Sequence, residues 1–390
     1  MKRLLTAAAI VAFSFSVLYA AAGGGPGKDA QAYKLYNEAY DMYLTHHYKD
    51  AVKALKKVIK LKPDFSKAYN LAGLSYVAYK YVDHAIFMYK KAVHVNPRYA
   101  EAYYNKGVAW EMKKPEELEQ PASLYRKAIE LDNDNVIFVR ASRKLGVILR
   151  KQGRYDDSIA VLREALKKGK DAPEIYNEAG LVYIESNHLD FAVEQFNKAL
   201  QYRHVYPEAS TNLGVAYLKQ GHLARAIAQL EDTIKKNPGF AGAHYTYGNL
   251  LIYNGFFEKA IAHLETAIKL EPETMEAHHS LGTAHTRLNQ FEQAEDVYRE
   301  ALKINKDYEP IKTARQELKA LREEFRAHIV FAKKKTEEDE DEEEEYADEE
   351  EEDQREKKPK KAEFVEDVEG LRLIDKDEKK EDDEDEEYDD

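Results

Sequence analysis

Residues 66–95 set the pattern for most of the chain. In "SKAYNLAGLSYVAYK" apolar residues recur at steps of three and four, and they do so again in "VDHAIFMYKKAVHV". That spacing gathers the apolar side chains on one face of a helix, so the stretch predicts two amphipathic helices in succession. Between the two helices of such a pair stands Gly153, Gly221 or Gly255, or Asn187 or Asn289. These residue types adopt the left-handed conformation that ends a helix. Proline closes several pairs, at Pro63, Pro97, Pro238 and Pro272, and biases the preceding residue away from helical angles.

The helix pair recurs. Gly73, Gly107, Gly146, Gly180, Gly214, Gly248 and Gly282 are separated by 34, 39, 34, 34, 34 and 34 residues. Twelve residues after most of them comes alanine, at Ala85, Ala192, Ala226, Ala260 and Ala294. An earlier unit fits the frame with Ala39, Ala51 and Pro63, which gives eight units starting near 32, 66, 100, 139, 173, 207, 241 and 275. The glycine of the first helix and the alanine of the second let two backbones approach closely. The third unit departs from the period: "KKPEELEQP" lies between its helices, "DNDNVIF" follows them, and Pro121 takes the alanine position. A longer turn and a local change of pitch are expected there.

Unit two carries Tyr69, Ala72-Gly73, Tyr76, Ala85, Tyr89, Ala92 and Pro97. This pattern resembles the tetratricopeptide repeat (TPR) family, and eight copies in register cover about 31–308. The resemblance implies an all-α, right-handed superhelical solenoid of eight helical hairpins. It also implies that the first helices line a concave groove that grips extended peptides or partner helices. Residues 309–333 lack the second half of a repeat and are expected to form the helix that caps the last one.

Charge divides the chain. The formal net charge of the 390 residues is −13, yet residues 337–390 hold 32 acids and 9 Lys/Arg, a net of −23. Residues 1–336 therefore form a basic body of net +10, and 334–390 an acidic low-complexity tail. The absence of cysteine excludes disulfides, thiolate metal sites and a cysteine nucleophile.

The N-terminus, "MKRLLTAAAIVAFSFSVLYAAAGGGPGK", opens with Lys2 and Arg3, runs apolar from Leu4 to Leu18, and offers Ala20-Ala21-Ala22 before glycine. That is the layout of a signal peptide over 1–22 with a linker over 23–30. An uncleaved anchor is the alternative reading, and the only route to a membrane that the sequence offers. Export is expected in either case, to a bacterial periplasm, to the inner membrane as an anchored protein, or into the medium. "GGGPGK" is no phosphate loop, because Asp29 stands where Ser or Thr would hold magnesium.

Catalytic constellations are missing. No H-E-x-x-H, G-x-S-x-G or dinucleotide fingerprint occurs, so the expectation is a non-enzyme without cofactor or metal. His278 and His285 stand at repeat positions filled by Tyr69 and Tyr76 in unit two, and His244 also matches Tyr69. They read as packing residues, whereas His279 points to the groove. Of the 28 tyrosines, Tyr69, Tyr76, Tyr89, Tyr103, Tyr176, Tyr183 and Tyr217 read as core. Tyr33, Tyr36, Tyr40, Tyr43, Tyr104 and Tyr245 fall on the expected groove face, where amphipathic aromatics suit peptide recognition. Packing against the next repeat is the competing role for each.

The charged candidate is "VRASRKLGVILRKQGR", with Arg140, Arg143, Lys144, Arg150 and Lys151 on one helix and no acid among them. Arg140, Arg143 and Lys144 project from one side. A subset of the resembled family clamps a partner's terminal carboxylate with two Asn and three basic residues. Asn105, Arg140 and Lys144 match three of those positions, while Asn70 and Leu74 stand where Lys and Asn would be. The expectation is therefore an anion-binding surface and not a full clamp, against the plainer reading of a solvated basic face. Nucleic acid is not expected.

Within the tail, Phe364, Val365, Val368 and Leu371 follow helical spacing and read either as a short recognition motif or as a few apolar residues in a solvated stretch. The acids either fold back on the basic groove or act as a solvating brush. The leading expectation is an exported protein-interaction scaffold of the cell envelope. The alternatives are a chaperone-like holdase and an accessory subunit of an envelope-building enzyme.

Overall fold

A computed structural model describes residues 27–132 and 135–330. Every regular element among them is a helix, and the helices come in pairs. The pairs are α1 (Lys28–Leu44) and α2 (Tyr48–Leu61), α3 (Ser66–Ala78) and α4 (Val82–Val95), α5 (Ala100–Lys113) and α6 (Glu119–Leu131), and α7 (Val136–Lys151) and α8 (Tyr155–Lys168). They continue with α9 (Pro173–Glu185) and α10 (Leu189–Tyr202), α11 (Pro207–Lys219) and α12 (Leu223–Lys236), α13 (Ala241–Tyr253) and α14 (Phe257–Leu270), and α15 (Met275–Arg287) and α16 (Phe291–Ile304). A last helix, α17, spans 309–330. The chain divides into two units, 1–319 and 320–390. The first holds all eight pairs; the described part of the second, 320–330, is helical.

Six expected unit starts coincide with the first residue of a helix, at Ser66, Ala100, Pro173, Pro207, Ala241 and Met275. The turn inside seven of the eight pairs, all but the third, is set by one left-handed residue. Gly153, Gly221 and Gly255 have φ of 72–81°, and Asn187 and Asn289 have 60° and 57°. In repeat seven the N–H of Phe256 then closes on the Leu251 carbonyl at 2.9 Å, which satisfies an end-of-helix acceptor. His46 and Lys80 take the same conformation, at 64° and 61°.

The helix glycines make room for a large side chain rather than for the alanine alone. Gly73, Gly180 and Gly282 face the rings of Tyr89, Phe196 and Tyr298, and Gly146, Gly214 and Gly248 face Leu162, Leu230 and Leu264. Each partner lies sixteen residues on, in the second helix. A Cβ on Gly214 would also lie 3.6 Å from the Ala226 carbonyl, so the small alanine contributes to the same approach.

The third repeat shows where its five extra residues go. Gly107 faces Tyr125, eighteen residues on rather than sixteen, so two residues lengthen the turn before α6 and three the loop before α7. Pro121 keeps the register of Ala85 and is buried. It is tolerated in the first turn of α6, where a backbone N–H has no partner within the helix.

Curvature follows from which helices touch. First helices of successive repeats contact one another directly, from α1 with α3 through α13 with α15, whereas no second helix contacts the next second helix. The first helices thus form the inner track of a superhelical solenoid and the second helices the outer one. Ile311 and Leu318 of α17 close the last repeat against Met275, Phe291 and Tyr298.

Candidate peptide-binding groove

Counted from the helix glycine, or from Ala39 in repeat one, the first helices carry register lines along the solenoid. Three residues before the glycine lie Tyr36, Asn70, Tyr104, Arg143, Asn177, Thr211, Tyr245 and His279. One residue later lie Asn105, Lys144 and Asn212, and three earlier lie Tyr33, Glu101, Arg140, Glu174 and Glu208. Tyr40 follows on a fourth line. Hydrogen bonds join the first two lines between neighbouring helices. Asn105 Nδ2 donates to Asn70 Oδ1 at 3.0 Å, and Asn212 Nδ2 donates to Asn177 Oδ1 at 3.0 Å. Asn70, 3% exposed, also donates to the Tyr99 hydroxyl at 3.2 Å, which in turn donates to Glu101 at 3.3 Å.

At the first repeat the wall is aromatic. The rings of Tyr33 and Tyr36 each sit 4.9 Å from that of Phe65. Burial, with Glu101 and Tyr40 nearby, pushes the Tyr36 hydroxyl up to about 12, so it remains a donor at neutral pH. Tyr33 and Tyr40 are exposed. Tyr43 instead packs on Tyr48 at the turn, with centroids 5.7 Å apart. Tyr104 is half-buried against Tyr125 at 5.7 Å, Tyr245 packs against the core of repeats six to eight, and His279 lies 6.4 Å from Tyr298. These three form the wall rather than project from it. Of the tyrosines read as core, Tyr76 and Tyr89 are buried, whereas Tyr176 is half-buried and stacks on the exposed Tyr202.

The basic residues of α7 do not act together. Lys144 Nζ lies 2.6 Å from Glu111 Oε2 of the preceding repeat. Arg150 Nε donates to Glu178 at 2.6 Å and its Nη1 pairs with Glu185, both of the following repeat. Among the described residues, Arg140 and Arg143 make no hydrogen bond or ion pair. Arg143 still acts on Glu174. Burial opposes ionisation of that carboxyl, but its own backbone N–H, Arg203 and Arg143 hold it below the ordinary range. Glu101 and Glu174 flank Arg140 on its line, so the wall is of mixed charge. Residues that the sequence reading passed over, above all Asn177, Asn212, Glu111 and Glu174, would have emerged from stacking the repeats column by column.

His278 and His285 are engaged in packing. His278 Nδ1 contacts the Thr274 carbonyl at 3.0 Å, and His285 Nδ1 contacts Gln290 Oε1 at 2.7 Å. Among the described residues no group of three or more His, Cys, Asp or Glu is placed to hold a metal, and no helix is long and apolar enough to cross a membrane. The signal segment 1–22 and the tail motif at Phe364, Val365, Val368 and Leu371 lie outside the described residues.

Comparison with known proteins agrees with this geometry. Tetratricopeptide-repeat family models match residues 211–252 and 245–309, and 146–187 and 180–221. Rat mitochondrial import receptor subunit TOM70 is 28% identical over 149 residues, 37% of this chain and 24% of its own length, and the human protein is also 28% identical. The chain thus matches about a quarter of the length of these relatives. A tetratricopeptide repeat protein from Parabacteroides merdae superposes with a TM-score of 0.55 at 14% identity, covering 65% of this chain and 99% of its own. The APC/C hetero-tetramer Cut9–Hcn1 gives 0.51 at 18% identity, covering 63% of this chain and 48% of that one. Repeats of this kind are typically non-catalytic and mediate protein–protein interaction. The paired helices, the 34-residue register and the matched models together show tetratricopeptide repeats over 146–309 within a solenoid of the same fold.

Proposed function

We propose that this chain is an exported, non-enzymatic scaffold that binds a protein partner, as an extended peptide or a helix, along the face of its first helices. The observation that carries the reading is the pair Arg140 and Arg143, one turn apart on α7 and without an ion-pair partner among the described residues. Beside them run asparagine side chains already ordered in ladders. Asparagine offers both donor and acceptor to a partner's main chain, and guanidinium groups fix a carboxylate in orientation. Ordered side chains lower the entropic cost of binding.

Export rests on residues 1–22, and N-terminal sequencing of the mature protein tests it. A bacterial envelope is the compartment proposed. The acidic tail acts either as a solvating brush or as a competitor for the anion-binding arginines. Deleting 337–390 raises affinity for acidic peptides at low salt, and not at high salt, only in the second case.

Cross-linking in the native envelope followed by mass spectrometry tests the scaffold directly. One dominant partner supports it. A broad set of unfolded clients points instead to a holdase. Co-purifying enzymatic activity would identify an accessory subunit.

A further inference from the structure

The basic excess of the body lies partly on the second helices, away from the groove. Helix α2 carries five lysines against one aspartate. Lys49, Lys53 and Lys56 follow one another at steps of four and three, so their ammonium groups share one helical stripe. Asp50 pairs with Lys53 at 2.9 Å, while Lys49 and Lys56 make no ion pair among the described residues. Like charges so arranged repel one another unless an anion lies between them.

That stripe faces an aromatic wall from the next repeat. Tyr79 and Tyr81 lie 4.9 Å apart, His84 meets the edge of Tyr81 at 5.7 Å, and Tyr76 stacks on His84 at 5.2 Å. Lys80, held left-handed at φ 61°, turns the backbone between the two tyrosines. Tyr79 and Tyr81 are 43% and 48% exposed although they line a concavity. With Val52, stripe and wall line an open concavity of about 320 Å³. None of these residues lies on the register lines of the groove.

We propose that this cavity is a second binding site, for an acidic peptide segment that carries an aromatic side chain. The volume matches a single ring with part of its backbone, at the lower end of ligand pockets. The tyrosines and His84 supply edges and faces for that ring. Lys49 and Lys56 are seven residues apart, about 10 Å along the helix axis, which an extended peptide covers in about three residues. Carboxylates flanking a central aromatic by one or two positions therefore reach both ends of the stripe. A peptide accounts for the ring and the spread of charge together, whereas a compact anion uses the lysines and leaves the wall idle.

The test is fluorescence anisotropy with the full chain and a labelled EEEYEEE peptide at low salt. The site predicts saturable binding. It also predicts a loss of about five- to tenfold when Lys49→Gln and Lys56→Gln are combined, since each exposed charge pair contributes about two- to threefold. An EEEAEEE peptide and the Tyr81→Ala chain should each bind several-fold more weakly. Lys269→Gln with Lys303→Gln, exposed on the second helices of repeats seven and eight, should leave the affinity unchanged. The substituted lysines are exposed, and helical circular dichroism verifies that the variants fold. No saturable binding, or binding that survives the lysine substitutions, overturns the proposal. So does lysine-dependent binding of inorganic phosphate in the absence of peptide binding.

Discussion

Gly107 and Tyr125 compete for one volume: a methyl group added to Gly107 would lie 2.7 Å from Cε1 of Tyr125. Because interiors are close-packed, the ring cannot swing away without moving its own neighbours. Gly107→Ala should therefore destabilise the chain by about 1–3 kcal/mol. Gly239→Ala serves as the control, since a Cβ there meets nothing within 4 Å and the backbone is not left-handed. Guanidinium unfolding midpoints followed by circular dichroism compare the two variants; equal midpoints would show that the fit of glycine to ring is unimportant.

Two buried serines should behave in opposite ways. Ser158 stands where other repeats have alanine, and its Oγ donates to the Gly146 carbonyl across the helix pair at 2.8 Å. Ser142 Oγ is buried with no hydrogen-bond partner among the described residues. Ser158→Ala should cost about 1 kcal/mol, the net contribution of one hydrogen bond. Ser142→Ala should be neutral or stabilising, because it removes a desolvated hydroxyl. Unfolding midpoints of the two variants give the ranking.

The α7 cations should also rank in a definite order. Lys144 is already paired with Glu111, so Lys144→Gln should weaken binding of an anionic groove ligand less than Arg143→Gln does. The second variant should lose about 1.5–3 kcal/mol of affinity, the range for a hydrogen bond to a charged group. Titration calorimetry with one captured partner peptide measures both. A larger loss at Lys144 would show that the Glu111 pair opens on binding.

Acid should loosen repeats six and seven. His244 Nε2 faces the Pro238 carbonyl at 3.2 Å, so it carries the hydrogen, and His244 Nδ1 accepts from His263 Nδ1 at 3.1 Å. Burial first, and His244 second, hold His263 below its ordinary value of 6.5, with Glu231 pulling weakly the other way. The folded state therefore binds this proton less readily than the unfolded chain does. Its contribution to stability is full above pH 6.5 and declines as pH falls through that value towards the lowered folded one. The Tyr247 hydroxyl donates to Glu231 at 2.6 Å, and its ring packs edge-on to His263 at 4.8 Å and holds it in place. Thermal midpoints between pH 8 and 5 should fall, and His263→Gln should flatten that fall. A parallel decline in the variant would exclude the pair as its source.

Much of the fold was readable because its determinants are local. Gly153, Gly221, Gly255, Asn187 and Asn289 end their helices as residue chemistry requires. Lys80 escaped notice, since lysine does not favour a left-handed backbone and the repeat imposes it. Repeat four begins at Val136 rather than 139, because left-handed Asn135 starts α7 early. The groove was less legible. Which face a residue occupies follows from the period, and the candidates do fall on first-helix lines. Which charges neutralise which depends on contacts 28–35 residues apart, such as Lys144 with Glu111 and Arg150 with Glu178 and Glu185. A run of basic residues in one helix says nothing about the acids of its neighbours.

The central claim is that the first-helix face holds the partner. A photo-cross-linking amino acid placed in turn at Arg143, Asn177 and His279 on that face, and at Phe87 and Lys198 on second helices, tests it in living cells. The account predicts one common adduct from the first three positions and none of that mass from the other two. The same adduct from the second-helix positions, or none from the first-helix line, would contradict it.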